Sequence, residues 1–309
     1  MFKNLNAHKE KRLGFISCWG SVITDILGLM VFESILGIVY LVITYMKSGP
    51  LESPEIPIFV NLIATIGGIG YTSIAAFNKY KWKPVDVGII FTKNAIREYF
   101  VGAAIALVML IGSILPGIIA GAAKLSFTEM NSAVFASWCL FGVGFVIQSF
   151  SEEFLCRGVL FKRLKERYDI WVVLILQALI FMGMHAGNPG MGIIPYINLF
   201  LVGVVFGQVV LITDNLWLAS GLHWLWNFAQ GCVFGIKVSG MEGMPTLLTC
   251  DMIGSEMLTG GAFGIEGALS ATIVYIITII IFMPKTLKVV REKSTPILNV
   301  DNNKEAPHD

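Results

Sequence analysis

The chain has little charge. Asp, Glu, Lys and Arg make up 14% of its 309 residues, against about 25% in a soluble domain. Histidine is scarcer, with four residues in all. The five cysteines (Cys18, Cys139, Cys156, Cys232 and Cys250) form no CxxC pair, and most lie in apolar stretches. That excludes a zinc ribbon and argues against a disulfide framework. There is no HExxH helix, no internal repeat and no low-complexity tract. No basic domain and no acidic tail interrupts a formal net charge of +1, so nothing points to nucleic acid.

Apolar residues fill the space that charge leaves. They make up 55% of the chain, and the mean hydropathy is +0.74. Several runs reach the roughly 20 residues that cross a hydrocarbon core about 30 Å thick. A soluble fold would need a core larger than the polar residues could cover. The expected fold class is therefore all-α, a polytopic membrane bundle. Eight candidate helices span 15–46, 56–78, 99–121, 132–155, 170–186, 195–213, 215–237 and 264–284. The apolar run after the basic N-terminal stretch is too long for a signal-peptide core, so it reads as a retained first helix.

Basic residues test that count, because Lys and Arg collect in cytoplasmic loops. Lys3, Lys9, Lys11 and Arg12 precede the first helix. The next rich loops hold Lys79 to Arg97 and Arg157 to Arg167, and the last holds Lys285 to Lys293. Between them stand Lys47 alone and Lys124 alone, and Lys237 is the single basic residue of the loop after the seventh helix. This alternation places both termini in the cytoplasm. Residues 79–98 read as interfacial, with Trp82 at the surface and Pro84 breaking the run. The Gly- and Met-rich stretch 238–263 is too long for a plain connector and is expected to fold back over the membrane. The organisation expected is helices without motifs over 1–130, a motif-bearing core over 131–284 and a polar cytoplasmic tail over 285–309, all within one structural domain.

Ionisable groups inside a membrane are costly and usually functional. Three segments stand out. SEEFLCRGVLF carries Glu152, Glu153 and Arg157. Glu153 and Arg157 are four residues apart, the spacing of a salt bridge on one helix face. Glu152 points about 100° away. It is left as an unpaired carboxylate, a candidate base. By itself this spacing is frequent at helix ends. FMGMHAG carries His185, four residues after Phe181, and GLHWLWNF carries His223 and Asn227 one turn apart. The remaining histidines, His8 and His308, lie in the termini. Asp25 and Glu33 receive no chemical role, and Glu266 reads as complementing a helix N-terminus. Trp217, Trp224 and Trp226 read as packing and interface anchors.

Taken in order, EExxxR (Glu152, Glu153, Arg157), FxxxH (Phe181, His185) and HxxxN (His223, Asn227) resemble the CAAX-processing and bacteriocin-processing (CPBP, or Abi) membrane peptidases. NLFLVGVVFG from Asn198 and LTGGAFGIEG over 258–267 support the likeness, which covers about residues 145–270. The resemblance implies a helical bundle with a cavity open to the cytoplasm or the bilayer. It implies endopeptidase activity on a prenylated protein or on pheromone or bacteriocin precursors. The expected partners are therefore a peptide or protein substrate, free or lipid-anchored in the bilayer, and the lipids themselves, in a bacterial cell membrane.

Hydrolysis of a peptide needs an activated water and a stabilised oxyanion. Glu152 is the expected base, helped by His185. His223 and Asn227 are the expected oxyanion donors. Glu153 and Arg157 orient the site, and Phe181 and Asn198 support it. No cofactor is expected. The competing reading is zinc held by Glu152, His185 and His223. Asn227 is a poor zinc ligand, which favours the metal-free form. The competing function is a non-catalytic scaffold or bacteriocin-immunity protein that keeps the fold. One difficulty stands. By helix count Glu152 lies near the cytoplasmic side and His185 near the outer side, so a joint site needs the fifth segment to break early or tilt.

Overall fold

The computed structural model describes residues 13–48 and 55–294. The N-terminal basic cluster, His8, His308 and the end of the tail lie outside the described residues. The chain is an all-α bundle with one small sheet. Its elements are α1 Phe15–Ser48, α2 Glu55–Ser73, α3 Ala95–Ile119, β1 Ala123–Phe127, α4 Ser132–Glu153, α5 Phe161–Lys165, α6 Ile170–Met184, α7 Ile193–Thr213, α8 Trp217–Phe228, β2 Leu248–Met252, α9 Glu256–Thr259 and α10 Leu269–Ser294.

Every expected apolar segment contains a helix. Among the described residues, six helices are long and apolar enough to cross a membrane: Phe15–Met46, Glu55–Lys79, Ala95–Ile119, Ser132–Lys165, Ile193–Thr213 and Leu269–Lys293. The other two are short. The 15 residues of α6 rise about 22 Å at 1.5 Å per residue, less than the roughly 30 Å core. The 12 residues of α8 rise less. The protein is an integral membrane protein, and the bundle turns its large apolar side chains outward where lipid would lie. Ile16, Ile38, Ile280 and Ile281 are all exposed, a surface that water would not tolerate.

The ends of the short helices have local causes. Beyond Met184 come Gly187, Pro189 and Gly190, the last at φ 75°. A helix cannot continue through that set. Between α7 and α8, Asp214 adopts a left-handed φ of 61°, and Asn215 Oδ1 accepts from Trp217 N at 3.0 Å to start α8.

Several expectations need correction. The polar stretch after 284, expected as a tail, is helical through Ser294. The 238–263 stretch is not a plain re-entrant loop. Its Leu248–Met252 pairs antiparallel with β1, with Leu125 opposite Cys250. The seventh segment, expected to reach 237, ends its α-helix at Phe228 and adds a π-helical turn over Ala229–Val233. π-Helical turns also follow α2, over Ile74–Lys79, and α4, over Phe154–Leu160. The interfacial stretch contains a short turn over Pro84–Val87, and its last residues, from Ala95, already belong to α3.

Two glycines set the depth of α8 in the bundle. A Cβ on Gly102 of α3 would strike the Leu218 carbonyl, and one on Gly221 of α8 would strike the Tyr99 carbonyl. Small residues let backbones in a membrane approach closely. So α3, which carries none of the motifs, backs the helix that carries His223 and Asn227.

Candidate active site

Arg157 and Glu153 have completely buried side chains and form an ion pair, Arg157 Nη1 to Glu153 Oε1 at 3.1 Å. The pair lies where α4 passes into its π-helical turn. The guanidinium sits in the corner of two edge-to-face phenyl rings, 4.2 Å from the Phe181 centroid and 4.8 Å from that of Phe206. Phe181 thus acts on Arg157 and lines the cavity beside it. Such cation–π contacts strengthen when desolvated.

The same Glu153 oxygen accepts from His223 Nδ1 at 3.0 Å. A carboxylate only accepts, so the proton sits on Nδ1. His185 Nδ1 lies 2.9 Å from the Phe181 carbonyl oxygen. That atom also only accepts, so His185 is protonated on Nδ1 too. In its neutral form each imidazole therefore presents the lone pair of Nε2. Each Nε2 stands 3.9 Å from the same atom, Glu152 Oε2. This Glu152 oxygen is buried and has no hydrogen-bond partner. Its other oxygen accepts from Gln148 Nε2. Gln148 Oε1 in turn accepts from Asn227 Nδ2 at 3.2 Å.

The expected site residues thus converge, with one exception. Glu152, Glu153, Arg157, Phe181, His185 and His223 are linked directly, and Asn227 joins through Gln148. Asn198 sits apart. Its amide donates to the carbonyls of Glu266 at 2.7 Å and Ala268 at 3.0 Å, and its Oδ1 accepts from Thr272. It ties α7 to the turn before α10 and touches no member of the cluster. The depth difficulty disappears because α6 is short and His185 caps its end at Met184.

Glu152, His185, His223 and Asn227 share one interior cavity of about 590 Å³. Sequence reasoning missed part of its wall. Gln148 lies one helical turn before Glu152, a spacing that offered a signal. Glu33 of α1 lines the cavity as well, which nothing in its surrounding sequence indicated. Trp226 also lines it and packs tilted against Tyr275 with ring centroids 5.4 Å apart, whereas Trp217 and Trp224 anchor to the carbonyls of Ile90 and Gly142. Glu266 does not complement a helix. Its Oε2 accepts from Ser239 N at 2.6 Å, Ser239 Oγ at 3.0 Å and Gln230 Nε2 at 3.4 Å. Burial raises its pKa, and the Ser239 donors work against that rise. Asp25 is buried against Lys79 Nζ at 2.7 Å and Tyr80 Oη at 2.6 Å, far along α1.

A zinc site needs ligands about 2.0–2.2 Å from the metal, and so roughly 3.4 Å from each other in a tetrahedron. The Glu152–His185 and Glu152–His223 separations are wider. Among the described residues no group of three His, Cys, Asp or Glu side chains has the disposition to hold a metal ion.

Residues 131–229 match a family model described as type II CAAX prenyl endopeptidase Rce1-like. The motif-bearing segment is similar to that family. The match begins at the foot of α4 and ends just past α8, so it encloses Glu152, Glu153, Arg157, His185, His223 and Asn227. It agrees with the CPBP resemblance read from the motifs. No curated protein matches the chain.

Proposed function

We propose that the chain is an intramembrane endopeptidase, resident in a bacterial cell membrane, that hydrolyses a peptide bond with a glutamate-activated water. The observation that carries this reading is a single one. Glu152 Oε2, buried and without a hydrogen-bond partner, faces two imidazole lone pairs at 3.9 Å across a cavity wall. Separations of that size are bridged by one water.

In this scheme Glu152 Oε2 takes a proton from a water that His185 Nε2 helps to orient. The hydroxide oxygen forms a bond to the scissile carbonyl carbon, and the carbonyl electron pair moves to oxygen. A neutral His223 cannot donate from Nε2, since its proton is on Nδ1. It donates to the oxyanion as imidazolium, having taken a proton from solvent at Nε2 before the substrate enters, while Nδ1–H stays on Glu153. Asn227 Nδ2 is the second donor. Collapse breaks the carbon–nitrogen bond, and the leaving amine receives the proton held by Glu152. Arg157 neutralises Glu153 and fixes its direction.

The substrate is a membrane-associated peptide or protein precursor. The test is a cell in which loss of the protein leaves a precursor unprocessed. Glu152→Gln and His185→Ala should each lower processing by about 100-fold or more, the scale of general-base catalysis, at unchanged protein level. Processing preserved in both variants sinks the catalytic reading and leaves a scaffold. Activity of the purified protein should survive a strong chelator. A stoichiometric metal bound to both histidines overturns the metal-free scheme.

A further inference from the structure

Asn198 and the run around Glu266 take no part in the hydrolytic scheme, and the structure joins them. Glu266 lines the cavity that holds Glu152 and His185, yet it lies beyond the residues that the family model matches. It is 7% exposed. Its main chain is held from α7. Asn198 Nδ2 donates to the Glu266 carbonyl at 2.7 Å, and Thr272 Oγ1 fixes Asn198 by donating to its Oδ1 at 2.6 Å.

Its side chain is held from the stretch after α8. Ser239 N, Ser239 Oγ and Gln230 Nε2 all donate to one oxygen, Oε2. Ser239 has φ 48° and Gly240 φ 86°, inside a tight turn whose ends Val238 and Met241 pair with each other. Such a turn, left-handed at both central residues, takes Asn, Asp or Gly at the first of them. A serine there carries backbone strain, and both its N–H and its hydroxyl end on Glu266. The strained residue is the one that aims the carboxyl.

The other oxygen is left over. Oε1 has no hydrogen-bond partner among the described residues and is not sealed from the cavity. An oxygen that accepts three donors carries no proton, so in the acid form the proton belongs on Oε1. Burial favours that form, raising the pKa of the carboxyl against the pull of the Ser239 donors. The cavity is thus offered an O–H donor on a fixed mount. In a peptide main chain the group that matches it is a carbonyl oxygen. His223 and Asn227 already serve the scissile carbonyl, so the carbonyl left for Glu266 belongs to a neighbouring residue. We propose that Glu266 is a substrate-binding residue that donates from Oε1–H to a main-chain carbonyl oxygen of the peptide and so sets its register against Glu152. The inference rests on the endopeptidase reading and deepens it.

The experiment uses the full chain in phosphatidylcholine nanodiscs. The probe is a quenched-fluorescent peptide spanning the processed bond of the precursor that accumulates in cells lacking the protein. Its amides on both sides of that bond are changed to thioamides one at a time, the scissile amide itself staying unchanged. Sulfur accepts a hydrogen bond more weakly than oxygen. At one position the thioamide should lower the wild-type kcat/KM by roughly tenfold, the scale of one buried hydrogen bond, mainly through KM. Glu266→Met removes the donor and should abolish the penalty at that position alone. Glu266→Asp keeps a carboxyl near Ser239 but withdraws its far oxygen, so it should abolish the penalty too and serves where the Met variant does not fold. Glu266→Gln can take the Ser239 donors on its amide oxygen and turn an N–H to the cavity. It should keep both the penalty and a kcat/KM within about threefold of wild type. A Gln variant as impaired as the Met or Asp variant overturns the proposal and leaves the endopeptidase reading intact. So does a thioamide scan that gives the same profile in wild type and in the folded Met or Asp variant. Absence of cleavage of the all-amide peptide by the wild-type chain overturns both.

Discussion

Glu153 and Arg157 carry opposite charges at complete burial, and each is the other's main compensation. Replacing Arg157 by Met keeps volume and removes the cation. Glu153 is then a buried charge with only His223 Nδ1 to answer it. The expected loss is about 3–5 kcal/mol, read as a lower melting temperature in detergent. Glu153→Gln acts differently. Its amide oxygen still accepts from His223 Nδ1, so the ring keeps its direction, but Arg157 is left as a buried cation without its counter-ion. The expected outcome is a lower melting temperature together with a fall in kcat of about 100-fold, with KM little changed in the fraction that remains folded by circular dichroism. Equal losses in KM would place the carboxylate in substrate binding instead. The pairing of Glu153 with Arg157 was legible from their spacing of four residues. The tautomers of both histidines were not, because a backbone carbonyl and a distant carboxylate set them.

At the scale of elements, the site depends on helices that are shorter than a membrane. The Gly-Pro-Gly punctuation after His185 ends α6 early, and this brings the imidazole level with the end of α4. On the opposite side α8 is pressed against α3 at Gly102 and Gly221. Gly221→Val should push α8 off α3 and cost about 1–3 kcal/mol, the usual scale of overpacking. Because Gly221 lies two residues before His223, activity should fall more than stability does. Melting and peptide cleavage measured on one preparation check this. A variant that melts lower yet cleaves normally would show that the α3–α8 spacing does not position His223.

The whole molecule poses a question of orientation. Basic residues before residue 13, at 79–97 and at 162–167 lead the positive-inside rule to expect both termini in the cytoplasm. Reporters fused to each end should both read cytoplasmic. A periplasmic reading at one end would change the number of crossings by one and make α6 or α8 the segment to re-examine, since both fall short of membrane-spanning length.

The sequence by itself determined the membrane bundle, because composition and 20-residue apolar runs leave no other solvent for such a chain. It also determined which ionisable residues stand inside the membrane, and their order matches the Rce1-like segment. It did not determine which of them meet. Motif spacing runs along single helices, whereas Glu152, His185 and His223 come together across three of them, at depths fixed by where α6 stops and how closely α8 packs. Only the tertiary structure brought Gln148 between Glu152 and Asn227, removed Asn198 from the cluster and placed Glu33, from a helix without motifs, on the same cavity wall. Those relations depend on backbone approach and chain termination in three dimensions, and a linear pattern of residue types does not encode them.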